Sequence, residues 1–68
     1  MNTLGEALPL EMARVRDQIM PAYHKIGPSG AFALAFMKIA LDKAAKALAE
    51  GDVVAMMAVY QELKEFKL

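Results

Sequence analysis

Two glycine-centred breaks constrain this chain more than any other feature. Gly27-Pro28-Ser29-Gly30 and Gly51-Asp52 cut it into segments whose apolar residues recur every three or four positions. Gly27 suits the left-handed residue that follows a helix, and Ser29 suits the N-cap of the next. Gly51 and Asp52 repeat that pairing. Pro9 fits a first helical position, because its fixed φ is helical and its missing N–H is not needed there. Helices are therefore expected over Pro9–Ile26, Gly30–Glu50 and Val53–Lys67. At 1.5 Å per residue these are about 27, 31 and 22 Å long. No segment alternates with the period of a strand. The links are short, so the expected fold is all-α, a three-helix antiparallel bundle.

The first helix carries Leu8, Met12, Val15, Ile19, Ala22 and Ile26 at alternating spacings of four and three, a single apolar seam. Pro21 deletes a hydrogen bond to the Asp17 carbonyl. The seam stays in phase through it, which favours a kink over a break. In the third helix Met56, Val59, Tyr60, Leu63 and Phe66 share one face, with Glu62 and Glu65 opposite. Residues 1–8 read as an N-terminal tail or a short helical turn. Thr3 and Glu6 have the spacing of a capping box. Residues 9–68 form the single helical domain.

The middle helix is unusual. On a wheel of about 100° per residue, Lys38, Asp42, Lys43, Lys46 and Glu50 form one polar arc. Leu34, Met37, Leu41, Ala44 and Leu48 lie opposite and form the expected core stripe. Phe32, Ala35, Phe36 and Ile39 fall on the arc that is charged further along. The first three turns are thus apolar on both sides. About three-sevenths of helical positions face a core, or roughly 23 sites here, and the helices hold about eleven more apolar residues than that. Three covers are conceivable: residues Leu4–Leu8 folding back, a second copy of the chain, or a foreign partner. A homodimer is favoured, because small domains bury too little surface alone and symmetric dimers are common. Gly30, Ala31 and Ala35 beside the aromatics would let helices approach closely.

Composition removes most chemistry. The 68 residues balance eight Lys+Arg against eight Asp+Glu and are 57% hydrophobic, so the chain is neither disordered nor globally attracted to nucleic acid. It has no Cys and one His, which leaves no thiolate site, no metal-ligand cluster and no expected cofactor. His24 lies near a helix C-terminus, where it reads as a surface or capping residue. Thr3 and Ser29 read as caps, not nucleophiles. No catalytic residue is assigned, and no enzyme activity is expected. The six methionines mostly sit on core stripes.

The segment Met1–Glu6 lacks the basic and apolar regions of a signal peptide, and the Ala31–Leu41 stretch is too short for the ~20 residues of a spanning helix. A cytoplasmic protein without a membrane partner is the expectation. A weak nucleic-acid face of Arg14, Arg16, Lys38, Lys43 and Lys46 is the alternative function. It is disfavoured because Lys38, Asp42, Lys46 and Glu50 form an i, i+4 ladder that serves the helix itself.

Two resemblances accompany this reading. Residues 44–63, with Gly51-Asp52 at the turn and Tyr60 in the second helix, resemble one tetratricopeptide-type hairpin. They depart from it at Met56, Ala40 and Ala47, and one unit cannot make a solenoid, which leaves a generic helical hairpin. The segments Gly27-Pro28-Ser29-Gly30-Ala31-Phe32 and Glu50–Met56 resemble those of small helical proteins encoded in bacterial genomes and their prophages. That resemblance implies a helical fold and brings no activity. The leading expectation is a non-enzymatic interaction or regulatory module working through Phe32, Ala35, Phe36 and Ile39.

Overall fold

The structure, a computed structural model, describes residues 3–68. Within them the chain is helical and has no strand. We number the α-helices α1 (Leu4–Arg14), α2 (Met20–Lys25), α3 (Ala31–Glu50) and α4 (Val53–Glu65). A π-helical segment, Val15–Ile19, joins α1 to α2 without a break. Three helical rods result and pack together, with α3 against α4 the most extensive pairing.

The first rod begins at Leu4, five residues before the expected start. Thr3 is its N-cap: the Thr3 hydroxyl accepts from the Glu6 amide at 3.2 Å and donates to the Glu6 carboxylate at 3.3 Å. The capping-box spacing therefore outweighs the proline signal. Pro9 lies inside α1. Its missing N–H forgoes one intrahelical bond, to the Gly5 carbonyl near the exposed start of the helix. The turns from Leu4 to Leu8 are thus part of the first helix, and Leu8 is fully buried. Met1 and Asn2, the rest of the expected tail, lie outside the described residues.

Pro21 neither ends this rod nor leaves it regular. Its ring cannot donate to Asp17, and one turn earlier the backbone switches to π geometry, with the Met20 amide bonded to the Val15 carbonyl. The wider turn carries the chain past the missing bond, and Pro21 sits in the opening turn of α2. Helix α2 ends at Lys25, and Ile26 is exposed instead of closing the seam. Gly27 then takes φ +70° as expected.

The turn into α3 differs from expectation. Ser29 does not cap it: residues Gly27–Gly30 form a 3₁₀ turn, the Ser29 hydroxyl donates back to the Ile26 carbonyl at 3.1 Å, and Gly30 is the N-cap. Gly30 is needed within the chain's own packing. A Cβ there would lie 2.5 Å from the Tyr23 carbonyl oxygen, so only glycine lets α3 start this close to α2.

The second link follows the sequence closely. Gly51 adopts φ +66°, the Asp52 amide reaches the Ala47 carbonyl at 3.0 Å and the Gly51 amide reaches Leu48 at 3.2 Å, the bonding of a Schellman turn. The Asp52 carboxylate accepts from the Ala55 amide at 3.1 Å and starts α4. Helix α4 stops at Glu65, and Phe66 is already extended.

The core contains Leu8, Val15 and Ile19 from the first rod, Met37, Ala40, Ala44 and Ala47 from α3, and Met56, Val59 and Leu63 from α4. The α3 contribution corrects the expected stripe. Met37 and Ala44 are central, but Leu34, Leu41 and Leu48 stand at the flank, half-buried. The buried arc is rotated by about 60° at 100° per residue. Small side chains occupy much of the contact line and let helices approach, while the three leucines pack along one flank of it.

Two polar contacts tie the first rod to the C-terminal end of the chain. The Arg14 guanidinium donates to the Leu63 carbonyl at 2.9 Å and is held by Glu11 at 2.6 Å. The Tyr23 hydroxyl donates to the Lys67 carbonyl at 3.1 Å.

Candidate functional site

The strip of α3 that the sequence set opposite its core stripe lies outside the observed core arc as well. Phe32 is 82% exposed, Phe36 61% and Ile39 53%, and Ala35 between them is exposed as well. One face of one helix thus presents two aromatic rings and a branched aliphatic side chain to water. Leaving a large apolar side chain exposed forgoes about 1.5–3 kcal/mol of burial. The fold offers these three no cover. Residues Leu4–Leu8 do not fold back over them, because Leu8 belongs to the core and Leu4 borders Met57, Tyr60 and Gln61 of α4.

The patch continues into a shallow groove between α3 and the end of α4. Its walls include Phe36, Ile39, Ala40 and Phe66, with Lys43, Glu62 and Glu65 at the rim. Lys43 bridges to Glu62 across the two helices at 3.2 Å. The arrangement is an apolar floor with a polar edge.

The five basic residues of the alternative face behave differently. Arg14 is half-buried and held by Glu11 and the Leu63 carbonyl. Arg16 makes two hydrogen bonds to Asp17, at 2.9 and 3.0 Å. That bond lowers the Asp17 carboxyl below its ordinary value and raises the Arg16 guanidinium. Lys43 is paired with Glu62. Among the described residues only Lys38 and Lys46 of the five lack a carboxylate partner. The Lys38–Asp42–Lys46–Glu50 ladder anticipated along α3 does not close into ion pairs among the described residues.

His24 is exposed, and Asp17 pairs with Arg16. No group of three or more His, Asp or Glu is gathered to hold a metal among the described residues, and no helix there is long and apolar enough to cross a membrane. A second hollow between α3 and α4 is lined by Lys43, Lys46, Glu50, Asp52 and Glu62, charges of both signs.

One feature went unread in the sequence. Val53, Val54 and Met57 expose a further apolar strip at the start of α4. Their i, i+1, i+4 spacing, off the Met56–Val59–Leu63 line, was the available signal.

Fold and surface define a class, the small helical domain with an apolar face left open. Comparison with protein-family models, with curated proteins and with solved structures gives no match for this chain.

Proposed function

We propose that this chain is a non-enzymatic helical interaction module of the cytoplasm. Its rods run antiparallel, and its working surface is the Phe32–Ala35–Phe36–Ile39 face. The observation that carries this reading is the exposure of three large apolar side chains in a row on one helix. Isolated exposed hydrophobes are ordinary, but a contiguous strip marks an association surface. The favoured partner is a second copy. A chain of 68 residues has a small core, and pairing is a common way to add to it.

Measuring the solution mass by sedimentation from about 1 to several hundred micromolar tests this, a range that covers weak association. A monomer–dimer equilibrium supports the homodimer. A monomer throughout that range removes it. A nucleic-acid accessory role stays second, because most of its cations are already matched by carboxylates. It requires binding that weakens by decades with salt.

A further inference from the structure

We draw no further inference here: the strongest candidate, the exposed Phe32–Ala35–Phe36–Ile39 face of α3 with the shallow groove it runs into beside Phe66, is already the working surface proposed above, and nothing in the structure shows what covers it.

Discussion

The Arg14 guanidinium hydrogen-bonds the backbone carbonyl of Leu63, 49 residues further along the chain, at 2.9 Å. Leu63 is itself fully buried, so its side chain anchors the core while its carbonyl receives a charged donor from the first rod. That carbonyl lies in the last turn of α4 and also accepts from the Phe66 amide at 3.2 Å. Charged donors to such groups are worth more than neutral ones, and a cation near a helix C-terminus also meets the favourable end of its dipole. Arg14→Met keeps much of the apolar stem and removes the donor. We expect a loss of about 1 kcal/mol, read by urea unfolding, together with faster amide exchange in the last turn of α4. Unchanged exchange there would show that the contact contributes nothing.

Neighbouring positions on α3 should respond in opposite ways. Phe36 is mostly exposed and Met37 is fully buried. Phe36→Glu should abolish self-association and leave helicity and the thermal midpoint of the monomer nearly unchanged. Met37→Glu places an unpaired carboxylate in the core and should unfold the chain or cost several kcal/mol. Circular dichroism and sedimentation on the two variants separate surface from core in a single experiment. Comparable loss of helicity in both would mean that Phe36 holds the fold.

Two glycines should differ in what an added methyl costs. At Gly51 nothing lies within 4 Å of a built Cβ, and only the left-handed backbone opposes it. Gly51→Ala should therefore lower stability by about 1 kcal/mol. At Gly30 the Cβ would strike the Tyr23 carbonyl, a backbone atom that cannot swing aside. Gly30→Ala should cost more than Gly51→Ala, with the loss concentrated where α2 meets α3. Chemical denaturation of both variants gives the order, and the reverse order would contradict the packing described for this corner.

Asp17 supplies a pH prediction. The Arg16 side-chain hydrogen bond holds the Asp17 carboxyl below its ordinary value. A depressed folded-state value contributes stability above the unfolded carboxylate value, which is lost as pH falls through the folded value. The pair is fully exposed, so solvent screening keeps that contribution small. Arg16→Ala should raise the Asp17 midpoint in an NMR titration and leave the thermal midpoint at neutral pH nearly unchanged. A large drop in thermal stability would mean that the pair does more than decorate the surface.

Much of the local structure was legible in the residues. Gly51-Asp52 specified its turn and cap because both signals are local: a left-handed residue followed by a carboxylate in reach of free amides. The seam of Leu8, Val15 and Ile19 and the face of Met56, Val59 and Leu63 were readable from spacing. Pro9 misled, because a proline fits a first helical position but is also carried inside a helix whose cap lies upstream. The capping box at Thr3 was the better guide. Ser29 misled because its hydroxyl finds a carbonyl behind it in a tight turn.

The sequence by itself determined the helices, most of their ends and the surplus of apolar surface on the first half of α3, since periodicity and capping act within a few residues. Only the tertiary structure decided which way α3 faces. Three alanines and Met37 turn inward because small side chains let neighbouring backbones close up, a choice that depends on the opposing helix. Phe32, Phe36 and Ile39 lie off both the expected and the observed core arc, and no single-helix pattern could show that residues Leu4–Leu8 would be spent on the core instead of covering them.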